Sequence, residues 1–270
     1  MYTGSGIVKE VGSQIEGIRP GDAVIMSFNS CGHCSTCNGG APAYCLHMLP
    51  LNFGGTRLDK SHTMRSSNGD PLFSNYFGQS SFSSIAVVNN RCLVKVSNEI
   101  PLEIFAPLGC GFQTGAGAIL NTLNVRPGSS VAVFGTGSVG MAAIMAAKIR
   151  KAKIIIGIDI NAGRLEIARS IGATHCLNGS DLDIADQIKT ICDGDGVQFA
   201  VDCTGVAVII ERMIDSLGTL GKAATIGAPS PGTKISIDVF SQLTKGRQYI
   251  GCNQGDSVPQ KACFHPLTYA

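Results

Sequence analysis

The chain is 270 residues long, enough for one large domain or two. Hydrophobic residues make up 44% and charged residues 15%, which excludes a disordered polyelectrolyte. Lysine and arginine number 21 against 19 acidic residues, a net charge of +2 without basic runs, so nucleic acid is not an expected partner. Thirty-four glycines without a collagen period point to tight turns and close backbone approaches.

Two uncharged stretches, Ile104–Val125 and Pro127–Ala147, approach the length of a membrane span. Pro107, Gln113 and Asn121 interrupt the first; Gly135, Gly137 and Gly140 interrupt the second. Both therefore read as buried core, and no membrane association is expected. The start, Met1 to Gly4, lacks a basic region followed by an apolar run. A cytoplasmic protein is expected, with its eleven cysteines as thiols or metal ligands rather than disulfides.

In chain order, Gly6–Val11, Asp22–Ser27, Ser84–Val88 and Cys92–Val96 read as β-strands punctuated by turn residues. A long Gly/Ser/Asn-rich excursion, Gly39–Gly78, lies between them. Within this β-rich lobe, Cys31, Cys34 and Cys37 follow a CxxCxxC spacing, and Cys45 follows after seven intervening residues. Four thiolates satisfy tetrahedral zinc with no open position, which makes the expected site structural. An iron–sulfur cluster and unliganded thiols are the competing readings. His33, His47 and His62 read as solvated loop residues with no assigned role.

From about Gly111 the pattern changes to alternating strands and helices. Strands are expected at Ser130–Phe134, Lys153–Ile158, His175–Leu177, Gln198–Asp202, Lys222–Ile226 and Arg247–Gly251. Helices are expected at Val139–Arg150, Gly163–Ile171, Leu182–Cys192 and Val206–Leu217. This alternation predicts an α/β fold, a doubly wound parallel sheet of Rossmann type.

Gly135, Gly137 and Gly140 form a GxGxxG that ends one strand and opens a helix, with Asp159 nineteen residues further on. That context is a dinucleotide-binding fingerprint. Gly135 allows the turn, Gly137 admits the pyrophosphate, and Gly140 lets helix and strand pack. The helix start at Ser138 and Val139 offers amides to an anion. Asp159 would accept hydrogen bonds from the ribose hydroxyls and repel a 2′-phosphate, which favours NAD over NADP. Arg164 either reaches the ribose or is an exposed helix-start arginine.

Several stretches, in order, resemble the zinc-containing medium-chain alcohol dehydrogenase family. They are Gly4–Val8, Arg19–Asp22, Cys31–Cys45, Pro107–Ala118, Phe134–Gly140, Ile158–Asn161, Asp202–Gly205 and Ile226–Pro229. Ala43–Cys45, Leu51–Gly55 and Phe77–Phe82 resemble its aryl-alcohol (benzyl-alcohol) branch most. The resemblance implies a GroES-like catalytic lobe, incomplete here, over residues 1–111, a Rossmann NAD-binding domain over 112–255 and an atypical tail over 256–270. It implies that Cys110, otherwise an inert thiol, is a ligand of a catalytic zinc. Thr114, Thr204, Ile226 and Ala228 match positions bordering the nicotinamide. The family's catalytic histidine would fall at Met1–Thr3, so the chain resembles a member shortened at both ends. Cys263 and His265 lie in the tail and read as part of a frayed terminal segment. Phe28 and Phe53 read either as core residues or as part of an aryl pocket.

The implied activity is hydride transfer from a primary aromatic alcohol to NAD⁺, giving an aldehyde, with zinc and NAD as cofactors. The alternative is an inactive member that retains NAD and structural zinc. A homo-oligomer pairing near Arg247–Gly251 is implied as well.

Overall fold

The computed structural model describes residues 4–262, which fall into two compact units. One comprises the chain up to Gln113 together with the residues from Ser257 onward; the other is Thr114–Asp256.

In the first unit, β1 (Gly4–Ile7) pairs antiparallel with β2 (Ala23–Met26), placing Gly4 opposite Met26. Short helices α1 (Ser35–Asn38) and α2 (Met48–Phe53) and a small hairpin, β3 (Met64–Arg65) with β4 (Pro71–Leu72), occupy the excursion. β5 (Leu93–Val96) returns antiparallel to β2. Every residue of β2 is buried, because it is the central strand of three. Ala23, Ile25, Val94 and Val96 form a core with Leu102 and Phe105 from α3 (Leu102–Phe105).

Two sequence expectations change here. The first strand ends at Ile7 rather than Val11: Val8 still exchanges hydrogen bonds with Asp22 and Gly21 (2.9 and 2.8 Å), and no ladder pairs residues 9–11 beyond it. Ser84–Val88 is not a strand: Ile85 and Val87 are 63% and 57% exposed, and no ladder pairs them.

The second unit contains the alternating pattern. Helix α4 (Gly111–Gly117) holds the division between the units. β6 (Ser130–Phe134), α5 (Ser138–Ile149), β7 (Ile154–Asp159), α6 (Ala162–Ile171), β8 (His175–Asn178) and α7 (Ile184–Ile191) follow. Then come β9 (Val197–Asp202), α8 (Ala207–Asp215), β10 (Leu217–Thr225), α9 (Val239–Lys245) and β11 (Gln248–Gly251). A last turn of helix, α10 (Pro259–Ala262), belongs to the first unit.

The six strands lie parallel in the order β11-β10-β9-β6-β7-β8. Side chains alternate across a strand, so Val131 and Val133 face Ala143, Ile144 and Ala147, while Ala132 and Phe134 face the side of Ile184, Ile188 and Met213. Both faces are thereby covered, as a doubly wound parallel sheet requires. The strand order reverses between β6 and β9, and ligands of such sheets bind outside the carboxyl ends at that point.

β10 starts earlier than expected, at Leu217, with a register shift against β9 before Lys222. Helix α9 was not expected. Asp238 caps it, accepting from the Phe240 and Ser241 amides, and Gly246 closes it in a left-handed conformation. Among the described residues no helix is long and apolar enough to cross a membrane.

Candidate coenzyme and metal sites

The fingerprint glycines sit where β6 gives way to α5. Gly135 adopts φ +90°, a conformation that strains any L side chain, and a Cβ there would lie 2.9 Å from the Thr204 methyl. Gly140 packs so closely that a Cβ would overlap the Gly135 carbonyl oxygen. Gly137 differs: its backbone is ordinary, and a Cβ would meet no protein atom within 4 Å. Two of the three glycines thus serve the fold, and the third faces open space. No side chain caps α5, whose first turn carries Ser138, exposed, and Val139, half-buried. The leading amides of a helix lack intrahelical partners and favour anions.

Asp159 ends β7 nearly buried. One carboxylate oxygen accepts from the Thr136 amide (2.8 Å) and hydroxyl (3.1 Å); the other accepts from the Asn161 amide (2.9 Å). Burial alone would raise its pKa, but these donors and Arg164 hold it below the usual 3.8, so the group is anionic at neutral pH. Arg164 lies 3.7 Å from that carboxylate, with a half-exposed side chain.

Sequence reasoning gave Asp202 no role. It is fully buried at the end of β9, and accepts from the Thr204 amide (2.8 Å), the Thr204 hydroxyl (2.6 Å) and the Gly205 amide. Burial pushes its pKa up. Its own carbonyl accepts from the Ile226 and Gly227 amides (2.9 and 3.0 Å), which ties the turn after β10 to the turn after β9. Thr204, Ile226 and Ala228 are therefore held at the same sheet end as Gly135. The signal was available as a buried acid closing a strand before Thr-Gly. Thr114 lies one residue before Gly115, where a Cβ would overlap the Val139 carbonyl oxygen.

In the first unit, the Sγ atoms of Cys31, Cys34, Cys37 and Cys45 all lie within 4.8 Å of one another. Cys31 and Cys37 are 4.0 Å apart, as are Cys34 and Cys45. A tetrahedral zinc bonded at about 2.3 Å needs sulfurs roughly 3.8 Å apart. One ion fits this set, whereas a cluster of several irons would hold its cysteines further apart. Amides of Cys34, Cys31 and His47 point at the sulfurs of Cys31 and Cys45 (3.2–3.4 Å). The Thr36 hydroxyl and nearby amides bring the Cys34 thiol down to about 5, while burial pushes Cys37 up to about 12. All four become thiolates only when a cation compensates them.

Cys110 follows a 3-10 turn, Ala106–Gly109, that is pinned to β2. The Ser27 hydroxyl donates to the Gly109 carbonyl (2.6 Å), and the Gln113 amide donates to both (2.8 and 2.9 Å). Among the described residues, Cys110 joins no cluster of three metal-ligating side chains. His33 and His47, expected to have no role, do form such a cluster with Cys31. Met1–Thr3, Cys263 and His265 lie outside the described residues. Phe28 is core, packed with Ala43 and Phe77; Phe53 is half-exposed, edge-on to Tyr76 and Phe77. A cleft of about 460 Å³ in this unit, lined by Asn29, Leu51, Arg57 and Asp59, includes none of the expected site residues.

Known proteins share these features. A family model for the alcohol dehydrogenase GroES-like domain matches residues 2–98, and one for zinc-binding dehydrogenases matches residues 138–266. The chain belongs to the zinc-binding medium-chain alcohol dehydrogenase family, whose members are NAD(P)-binding oxidoreductases. Geraniol dehydrogenase of Castellaniella defragrans is 40% identical over 261 residues, 96% of this chain and 70% of that protein. The crystal structure of an alcohol dehydrogenase zinc-binding domain protein from Burkholderia ambifaria matches with TM-score 0.95 and 44% identity, over 98% of this chain and 71% of that one. Benzyl alcohol dehydrogenase from Acinetobacter calcoaceticus matches with TM-score 0.89 and 40% identity, over the same shares. The expected family, its Rossmann sheet and its GroES-like lobe are thus all found. The comparisons give no support to the reading of an inactive, binding-only member.

Proposed function

We propose that this protein is an NAD-dependent dehydrogenase that oxidises a primary aromatic alcohol to its aldehyde. The carbinol carbon gives up hydride to NAD⁺, the hydroxyl gives up a proton, and NADH and aldehyde leave. The observation that carries the coenzyme choice is Asp159, an anionic acceptor fixed at the end of β7 beside the glycine turn. Its carboxylate accepts the adenosine ribose hydroxyls and opposes a 2′-phosphate. Arg164 borders the same ribose. The amides of Ser138 and Val139 bind the pyrophosphate, which the open space over Gly137 admits. Thr114, Thr204, Ile226 and Ala228 orient the nicotinamide half, so that one ring face is presented.

Cys31, Cys34, Cys37 and Cys45 would hold a structural zinc, since the set is closed and has the spacing of one tetrahedral ion. Cys110 would be a ligand of the catalytic zinc. That zinc supplies Lewis acidity toward the alcohol oxygen when bound. The substrate class rests on likeness to benzyl alcohol dehydrogenase and geraniol dehydrogenase, whose named substrates carry the hydroxyl beside an unsaturated carbon. We place the protein in the cytoplasm as a homo-oligomer associating along β11. The neighbouring α9 supports this, since Val239, Phe240 and Leu243 are each about three-quarters exposed.

Alcohol-dependent NADH formation by the zinc-loaded protein tests the proposal. Benzyl alcohol with NAD⁺ should outpace both a saturated aliphatic alcohol with NAD⁺ and benzyl alcohol with NADP⁺. Absence of any alcohol-dependent NADH formation would overturn the activity; a preference for NADP⁺ would overturn the role of Asp159.

A further inference from the structure

The four-cysteine loop carries a second set of ligand atoms. Cys31, His33 and His47 each place one ligand atom within 4.8 Å of the others. The two rings approach with centroids 6.2 Å apart. His33 Nδ1 lies 3.0 Å from the Cys31 carbonyl oxygen. A carbonyl only accepts, so Nδ1 is the donor in this contact, and Nε2 is the ring nitrogen left to meet an ion. Metal-ligating histidines are oriented in this way, donating the other ring N–H to a backbone carbonyl. His33 is exposed and His47 half-buried, so both rings can close the remaining distance, and solvent can reach an ion between them.

Charge favours the same outcome. Four thiolates and one divalent ion leave a net charge of about −2 on the loop. Arg91, whose guanidinium lies over Gly32, offsets one of these. A further cation at the rim would compensate the rest. Thiolate sulfur retains lone pairs after binding one ion, so Cys31 can bridge two.

We propose that Cys31, His33 and His47 form a second, exchangeable metal site at the rim of the four-cysteine loop. It takes a borderline divalent ion of the zinc or copper type, with Cys31 as a shared thiolate. A thiolate with two imidazoles suits these ions and not magnesium or calcium. Solvent completes the coordination, unlike the closed four-thiolate set. The site rests on the four-cysteine zinc reading for its bridging thiolate. It is independent of which alcohol or coenzyme the protein uses.

The test is metal content after equilibrium dialysis of the full chain against buffered free zinc. Wild type is compared with a double variant, His33→Asn with His47→Asn, and with Cys37→Ser. Wild type should hold about one zinc per chain more than the histidine variant, because only the rim site needs both rings. Equal zinc in wild type and the histidine variant would overturn the proposal, and is the result expected if histidine merely exchanges with thiolate at one ion. Cys37→Ser reports separately on the four-cysteine site: zinc lost there and retained in the histidine variant shows that the closed site is intact. Should the asparagine pair not fold, the single His33→Ala, at an exposed position, should likewise lose the extra zinc; retention would overturn the proposal.

Discussion

At Asp159 one carboxylate organises the fold and, in the proposed function, also meets the coenzyme. It receives the Thr136 and Asn161 amides and still ends the strand at the position where a ribose would lie. Asp159→Asn keeps one acceptor oxygen and removes the charge. Hydrogen bonds to charged groups contribute about 1.5–3 kcal/mol, so the NAD Kd should rise by roughly tenfold or more. The preference over NADP should shrink, as read by calorimetry with both coenzymes. Its folded pKa lies below the unfolded value. The stability it contributes is therefore complete above the unfolded value and lost only as pH falls through the depressed one. No Asp159 titration should appear in NAD affinity between about pH 5 and 8. The glycines divide along the same lines. Gly140→Ala forces a Cβ onto the Gly135 carbonyl and should cost about 1–3 kcal/mol of stability. Gly137→Ala meets no protein atom and should melt like wild type while binding NAD more weakly. Melting curves with and without NAD separate the two. This division was legible in the spacing of the motif. The structuring role of Asp202 was legible only as an acid closing a strand before Thr204-Gly205, because the Ile226 and Gly227 amides that its carbonyl accepts come from the turn after β10 and not from local spacing. The proximity of His33 to His47 was also hidden, because a folded loop, not a periodic element, brings them together.

At the scale of elements, the Cys31–Cys45 loop is closed by local hydrogen bonds and buries little apolar surface. Helix α1 has no buried residue and no side-chain cap, and the 3-10 turn at Pro42–Tyr44 buries only Ala43. Structural zinc supplies folding free energy directly, on the order of 10 kcal/mol in isolated zinc-binding peptides. Cys37→Ser, or chelation of the wild type, should remove this zinc and lower the melting temperature, with the loop becoming protease-sensitive. Retention of the full metal content and melting temperature in Cys37→Ser would contradict a four-thiolate site. The Rossmann strands were readable because the central ones, β6 and β7, are apolar runs between turn residues and the rest alternate with helices, and each ended near its expected position. The run Ser84–Val88 looked alike, but among the described residues no strand pairs with it, and pairing is what makes a strand. Helix α9 escaped because Val239, Phe240 and Leu243 are exposed and mark no inward face. Its signals were the Asp238 cap and Gly246 instead.

For the whole molecule, the strand reversal between β6 and β9 gathers Gly135, Asp159, Asp202 and Thr204 at one end of the sheet, although they are far apart in sequence. The α/β class followed from alternation alone. The return of the chain from Ser257 to the first unit did not, since it depends on long-range packing. A ligand that binds only the folded state stabilises it, by about 2.7 kcal/mol at a hundredfold excess over Kd. NAD should therefore raise the melting temperature in a dose-dependent way. The most direct test of the central claim is calorimetric titration of the wild-type protein with NADH and, separately, NADPH. Saturable binding of NADH, with clearly weaker binding of NADPH, is the predicted result. No NADH binding, or equal affinity for the two, would contradict a coenzyme site built from the Gly137 turn and Asp159.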